Sequence, residues 1–282
     1  MARIIAVANQ KGGVGKTTTC VNLAASLGAM GRRVLLVDLD PQGNATMGSG
    51  IDKYAVERSI YDVLVHRAPV NLVAQPSAEA GFSVLPANGD LTAAEVELLD
   101  VENRERRLRT ALAEVAGDYD FMLIDCPPSL NMLTLNGLIA ADGVIIAMQC
   151  EYYALEGLTA LVSTINGVAE SANPGLQIVG ILRTMYDPRN SLTNDVSAQL
   201  HEHFAGLVYR TVVPRNIRLA EAPSHGIPAI HYDRNSRGSK AYMALAGEII
   251  RREEKRLRDA GLPPDAPAQD ALPDSPPPAA SL

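Results

Sequence analysis

Short aliphatic and β-branched runs alternate along the chain with longer stretches whose apolar residues recur at helical spacing. Ile4-Ile5-Ala6-Val7-Ala8, Val34-Leu35-Leu36-Val37 and Phe121-Met122-Leu123-Ile124 are unbroken apolar runs. Such runs mark strands covered on both faces rather than half-exposed ones. The pattern predicts strands over 3–9, 33–39, 82–86, 121–125, 144–148, 178–184, 208–213 and 229–231. It predicts helices over 17–30 (stopped by Gly31), 130–140, 155–171, 191–204 and 239–257, with a charged and broken helix over 92–116. Strands alternating with helices imply right-handed βαβ crossovers. The expected fold is therefore α/β, a mostly parallel twisted sheet flanked by helices on both faces. In such sheets ligands gather outside the C-terminal ends of the strands.

Composition narrows the classes. With 282 residues, 47% hydrophobic and 20% charged, the chain can bury a large core. No apolar stretch approaches the roughly 18 residues of a membrane span; the longest, 135–148, is interrupted by Asn136 and Asp142. The apolar run at the N-terminus is too short for a secretory signal. Aromatic residues are 4% with no Trp, which argues against rows of rings stacking on single-stranded bases. Cys20, Cys126 and Cys150 form no CxxC pair, which suits a reducing cytoplasm and supplies no metal framework.

The net charge of −7 hides a gradient. Residues 1–180 carry 12 Lys and Arg against 20 Asp and Glu, whereas 181–258 carry 13 against 8. A basic segment in an acidic chain is either a local anion-binding face or a solvated surface. Residues 259–282 hold seven prolines and four aspartates with no Lys or Arg, a composition expected to form a disordered tail. One domain over 1–258 is expected.

Chemistry enters immediately after the first strand. Asn9-Gln10-Lys11-Gly12-Gly13-Val14-Gly15-Lys16-Thr17-Thr18 opens the first helix with a glycine-rich turn. Its N–H groups and the helix N-terminus form a nest for phosphate oxygens. Lys16 is placed to reach the β- and γ-phosphates and the Thr17 hydroxyl to hold Mg²⁺. Gln10 stands where GxxxxGK[ST] has its first glycine, and Lys11 is an extra cation. Two lysines on one loop need several negative charges. Lys11 can serve the nucleotide of a neighbouring subunit, as an arginine finger does in trans.

Two further strands end in carboxylates. Val34-Leu35-Leu36-Val37-Asp38-Leu39-Asp40 places Asp38 and Asp40 on one side of the strand, and Phe121–Ile124 leads into Asp125. Carboxylates at the ligand edge are costly unless they meet a cation or orient water. Asp125 is the candidate Mg²⁺ ligand, direct or through water, and Asp40 the candidate for orienting the attacking water.

The segments KGGVGKTT, VLLVDLDPQGNAT, LIDCPPSL, QCEYYALEGL, TMYDPR and PRNIRLAEAPSHG together resemble the ParA/Soj chromosome-partitioning ATPases, of the deviant Walker A class of P-loop NTPases. The resemblance spans roughly residues 1–250. It implies an ATP- and Mg²⁺-dependent homodimer with the nucleotides sandwiched between subunits, non-specific binding to double-stranded DNA, and slow hydrolysis stimulated by a ParB/Spo0J-type centromere-binding partner. It implies residence on the nucleoid within the cytoplasm.

Residue by residue, Lys11 corresponds to the lysine that crosses the interface, Lys16 to the P-loop lysine, and Gly12 to the point of closest subunit approach. Gly13, Val14, Gly15 and Thr18 complete the phosphate loop, and Thr17 matches the Mg²⁺ ligand. Asp40 matches the residue needed for hydrolysis, Pro214 and Asn216 fall where adenine is contacted, and Arg189 and Arg218 match DNA-binding arginines. With Arg183, Arg215, Arg234, Arg237 and Lys240 they are expected to share one basic face. A MinD-like membrane-associated positioning ATPase is the alternative and needs a terminal amphipathic helix; the 241–257 stripe is expected to pack on the sheet instead, so no stable membrane association is expected. An iron–sulfur reductase lacks its cysteine pairs.

Overall fold

The computed structural model describes residues 2–77 and 80–261. Eight strands form one sheet: β1 (Arg3–Ala8), β2 (Val34–Asp38), β3 (Gln75–Ser77), β4 (Phe82–Leu85), β5 (Phe121–Asp125), β6 (Gly143–Gln149), β7 (Gln177–Tyr186) and β8 (Val208–Pro214). The spatial order is β3-β4-β2-β5-β1-β6-β7-β8. Every pairing is parallel except β3 with β4. The antiparallel β3 closes one edge and has no counterpart in the expected strands. Its three residues, with Pro76 in the middle, are too short for an alternation pattern to reveal.

Period-2 alternation divides the strand residues between two cores. Ala6 and Ala8, Leu35 and Val37, and Met122 and Ile124 face one layer, and Ile5 and Val7, Val34 and Leu36, and Phe121 and Leu123 face the other. Both layers are filled, which is why these strands read as continuous apolar runs. Across the first core lie α3 (Ile60–Leu64), α4 (Val70–Val73), α5 (Leu91–Glu97), α6 (Arg107–Glu114), α7 (Met132–Ala140), α8 (Ala154–Ser171) and α9 (Ser191–Phe204). Across the second lie α1 (Lys16–Gly28), α2 (Asn44–Gly48), α10 (Ile217–Glu221), α11 (Ala229–Tyr232) and α12 (Arg237–Asp259).

The expected strand over 229–231 is instead α11, one helical turn. Pro228 stands at its N-cap, and the Ala229 N–H is taken by the Asn22 side chain at 2.7 Å. That backbone donor serves a cap-like contact with α1 and not a strand ladder. The broken helix over 92–116 resolves into α5, two 3₁₀ turns and α6, with Asn103 in the left-handed region (φ 54°) between them. The short α2, α3, α4 and α10 were not anticipated, since a single turn carries no 3.6-residue periodicity. Helix α12 runs through Asp259; residues 262–282 of the tail expected from 259 lie outside the described residues.

This topology fixes where chemistry can occur. The chain leaves β1, crosses to β2, and later returns through β5 between them. The C-terminal ends of β1, β2 and β5 thus open side by side, at the point where the strand order reverses.

Candidate nucleotide site and the neighbouring basic residues

The loop after β1 is built to receive an anion. Gly13 (φ 72°) and Gly15 (φ 88°) lie in the left-handed region, where a side chain is strained. A Cβ on Gly12 or Gly13 would meet nothing within 4 Å, so open space adjoins the turn. Gly15 is the N-cap of α1 and no side chain caps the helix, which leaves its first amides available to an anion. Sequence reasoning missed one support of this loop. The Thr184 hydroxyl, near the end of β7, donates to the Val14 carbonyl at 2.7 Å, and Met185 beside it holds a positive φ of 48°. The TMYDPR segment was the only sequence signal for it.

Lys16 is buried, and its Nζ donates to the Lys11 carbonyl at 3.3 Å. Burial lowers its pKa while Asp125 opposes that shift. Thr17 and Thr18 follow on the first turn of α1, both half-buried.

Asp125 ends β5 and is wholly buried, and neither carboxylate oxygen has a hydrogen-bond partner. Burial pushes its pKa up to about 8, the Asp38 carboxylate adds to the shift, and the nearby Thr17 hydroxyl and Lys16 oppose it. The Thr17 hydroxyl is thus close enough to favour the ionised form without a bond of normal geometry. Two orphaned buried oxygens beside a hydroxyl and an ammonium are what a hard cation of oxygen ligands would satisfy. These residues fit Mg²⁺ together with a phosphate. Among the described residues no cluster of three or more His, Cys, Asp or Glu could hold a metal unaided.

Asp38 and Asp40 separate in role. Asp38 accepts from the Thr46 N–H (2.8 Å), the Thr46 hydroxyl (2.7 Å) and the Asp40 N–H (3.1 Å). It is fully buried, and burial lifts its pKa to about 6 against the opposing bonds from Thr46. The expectation that Asp38 and Asp40 share one side of the strand is corrected here: β2 ends at Asp38, whose carboxylate holds the following loop. Asp40 lies in that loop, half-buried, with one oxygen accepting only the Gln42 N–H at 2.9 Å.

Lys11 is 53% exposed, and its Nζ pairs with Glu151 of its own chain, at the end of β6. The expectation that it extends away is thus modified: within one subunit it is tied to the QCEYYALEGL segment. Tyr152 and Tyr153, next in line, are about three-quarters exposed and meet edge to face at 5.0 Å. Pro214 ends β8, and Asn216 accepts the Arg218 N–H at 3.1 Å as the N-cap of α10.

The basic face is only partly assembled. Arg189, Arg215 and Arg218 lie on the segments following the C-terminal ends of β7 and β8 and are exposed. Arg189 makes a forked pair with Asp187, and Arg218 pairs with Glu221 (2.8 Å) and Asp233 (3.3 Å) over the Tyr232 ring. Arg215 makes no ion pair with a described residue. Arg234, Arg237 and Lys240 are exposed as well. Arg183 must be removed from this set: it is buried, donating to Ser197 (2.8 Å) and to the Tyr209 carbonyl (2.9 Å). Its guanidinium joins β7 to α9 and β8 and does not face solvent.

Comparison with known proteins accords with this geometry. An AAA domain family matches residues 2–178. The sporulation initiation inhibitor protein Soj of Bacillus subtilis is 52% identical over 249 residues, covering 88% of this chain and 98% of Soj. The chromosome partitioning protein ParA of Caulobacter vibrioides is 50% identical, covering 92% of this chain and 97% of ParA. Among solved structures, a cobyrinic acid a,c-diamide synthase of Mycobacterium smegmatis with bound ADP and magnesium superposes with a TM-score of 0.79 at 39% identity, covering 95% of this chain and all of that one. The septum site-determining protein MinD of Pyrococcus horikoshii, complexed with Mg-ADP, gives 0.74 at 28% identity over 88% of this chain and 96% of its own. With half its residues shared over nearly the full length of both relatives, the chain belongs to the ParA/Soj family of chromosome-partitioning ATPases.

Proposed function

We propose that this chain binds ATP with Mg²⁺ at the β1–α1 loop and closes with a second copy around two nucleotides. The paired chains bind double-stranded DNA without sequence preference, and hydrolysis, stimulated by a ParB/Spo0J-type partner, releases it. The orphaned Asp125 carboxylate, set beside Thr17 and Lys16 at the mouth of an uncapped helix, carries the nucleotide part of this reading. Solved proteins of this fold hold ADP or an ATP analogue together with magnesium.

The division of labour follows from position. The amides of Gly13 to Thr18 and the Lys16 ammonium neutralise phosphate charge, while Thr17 and Asp125 hold the cation. Mg²⁺ draws electron density from the phosphate oxygens when bound. Asp40, with one oxygen unengaged, orients water. Lys11 leaves Glu151 to reach the partner's nucleotide. That exchange is cheap, because an exposed ion pair contributes little. Alignment and charge neutralisation, which phosphoryl transfer chiefly needs, are thereby provided by parts of both chains.

Association then controls DNA affinity. Arg189, Arg215 and Arg218 of one chain make few phosphate contacts, and two chains held together present a bivalent surface. Arg189→Glu or Arg218→Glu is expected to weaken DNA binding about tenfold at ~0.1 M salt and flatten its salt dependence. Dimerisation by ATP is expected to stay at the wild-type level. An unchanged gel shift across a salt series would remove these residues from the DNA surface. Lys16→Ala is expected to abolish ATP binding in a filter or calorimetric assay; retained affinity would mean the loop is not the nucleotide site.

Two other readings lack a carrier. The apolar stripe of α12 that a MinD-like membrane role would use is spent inside the protein: Tyr242, Leu245 and Ile249 are buried against the second core. No described helix is long and apolar enough to cross a membrane. An amide synthase working through a cysteine nucleophile needs a reactive thiolate. Here burial raises the pKa of Cys20, Cys126 and Cys150 alike. Size-exclusion chromatography with ATP, ADP or no nucleotide, followed by DNA retardation of each fraction, tests the proposal. ATP-independent DNA binding by a lone subunit would defeat it.

A further inference from the structure

At the opposite end of the molecule from the nucleotide loop, α12 and the edge of β8 enclose a shallow groove of about 830 Å³. Its walls carry Arg210, Arg251, Arg252 and Lys255, and its floor includes Met30 and Met243. One carboxylate lies there, Glu248, and it is fully engaged: it accepts from the Arg210 and Thr211 N–H groups, the Thr211 hydroxyl and Arg252. Arg252 is held by that bond and stacks 4.3 Å from the Tyr209 ring centroid. Arg210, Arg251 and Lys255 are exposed and form no ion pair with any described residue. The Arg251 guanidinium lies along α12 close to Gly247 and the Met30 methyl. None of these residues belongs to the family motifs read from the sequence.

We propose that this groove is the docking site of the chain's own acidic, proline-rich segment, residues 262–282, which covers it in cis. Charge supports the match: Asp265, Asp270 and Asp274 are accompanied by no Lys, Arg or His in that segment. Its prolines, alanines and leucines suit a floor of methionine side chains.

Reach supports it too. At about 1.5 Å per helical residue, Lys255 lies ~9 Å and Arg251 ~15 Å back along α12 from Gly261. A chain extended at ~3.1 Å per residue would span ~12 Å from Gly261 to Asp265 and ~28 Å to Asp270. That length lets Asp265 reach the Lys255–Arg251 interval and Asp270 reach Arg210. Gly261 has a left-handed φ of 69°, and its N–H bonds the Arg258 carbonyl at 3.0 Å, which turns the chain off the helix axis.

Each exposed pair is weak alone, yet a short tether keeps the segment at high effective concentration. The consequence is competition: a phosphate polymer gains this groove only by displacing the segment.

A nitroxide attached to Ser275→Cys in the full chain tests this by NMR, since Cys20, Cys126 and Cys150 are buried. At 50 mM salt, amide signals of Gly206, Arg210, Gly247 and Lys255 are expected to broaden at least several-fold more than those around Lys11 or Arg189. The broadening is expected to vanish at 0.5 M salt, where charges are screened within a few ångströms. It should vanish equally in D265N/D270N/D274N, which leaves every described residue unchanged, and in R251E/K255E. Uniform broadening, or broadening centred on another basic patch, would overturn the assignment. So would equal broadening in isotope-labelled chains free of nitroxide when they are mixed with nitroxide-bearing chains at natural isotope abundance, which would place the contact between molecules. Displacement of the segment from wild-type protein by duplex DNA at 50 mM salt is expected; broadening at the groove that persists in the triple Asn variant would overturn the role of charge.

Discussion

Replacing Asp40 with alanine is expected to leave ATP-driven association and DNA retention intact while turnover falls by about 100-fold or more. The size follows from what a positioned acid–base group contributes to a reaction that needs an oriented water. The fold should survive the change. Asp40 lies in the loop beyond β2, half-buried, and its side chain accepts one local N–H from Gln42, a bond worth about 1 kcal/mol. The buried anchor of that loop is its neighbour Asp38, which remains. The expected trapped species is a DNA-bound dimer that elutes early in ATP and accumulates because phosphate is not released. A phosphate-release assay decides it: wild-type turnover from the variant would remove Asp40 from the reaction. Asp38→Ala gives the contrasting result, since it strips three bonds from a buried position; loss of the folded loop is expected, with binding and turnover falling together.

The second large effect concerns Asp125, and it has two opposite signs. Without Mg²⁺ or nucleotide, Asp125→Asn is expected to stabilise the protein, because a buried carboxylate with no partner is replaced by a neutral group of the same shape. A gain of about 1–4 kcal/mol corresponds to a melting temperature several degrees higher in a chain of this size. With Mg²⁺ and ATP present, the same variant is expected to lose magnesium-dependent tight binding and turnover.

The pH dependence carries the diagnosis. A carboxyl whose folded pKa is raised binds more protons folded than unfolded, so it supports stability at low pH and that support is lost as pH rises. For Asp125, raised from about 4 to about 8, wild-type stability in EDTA is expected to fall between pH 4 and pH 8 and then level. Asp38, raised to about 6, acts in the same direction over the lower part of that range. The melting temperatures of wild type and Asp125→Asn should therefore diverge as pH rises. Parallel curves from pH 5 to 8.5 would show that Asp125 is not the strained group. Magnesium-dependent ATP affinity of the wild type is expected to improve over the same interval, since the cation competes with the proton.

Much of this was legible without coordinates, and the reasons are local. The strand at 121–125 was read with its bounds unchanged and β1 to within one residue, because strands buried on both faces leave continuous apolar runs that nothing else in the chain imitates. The glycine-rich turn that opens α1 was legible because its glycines, lysine and threonines are adjacent in sequence. Elements of one turn, such as α2 and α11, were illegible because periodicity needs length. Ala229–His231 misled for that reason: three apolar or neutral residues fit a strand until Pro228 and the Asn22 contact are seen.

Side-chain pairing was the other gap. Arg183 and Arg189 are the same residue type six positions apart, yet one is sealed between β7, α9 and β8 and the other is 89% exposed on a loop. Only the packing of distant segments distinguishes them. Lys11 meets Glu151 across 140 positions, and Thr184 braces Val14 across 170; neither contact leaves a trace in local spacing.

The amino-acid order by itself determined the layered α/β plan, the glycine-rich turn that opens α1 and the family, because each rests on residues that act next to their neighbours in sequence. The tertiary structure decided which carboxylate is held and which left without a partner, which arginines reach solvent, and that a basic groove lies at the far end of the molecule. Those outcomes depend on burial and on charges brought together from remote parts of the chain.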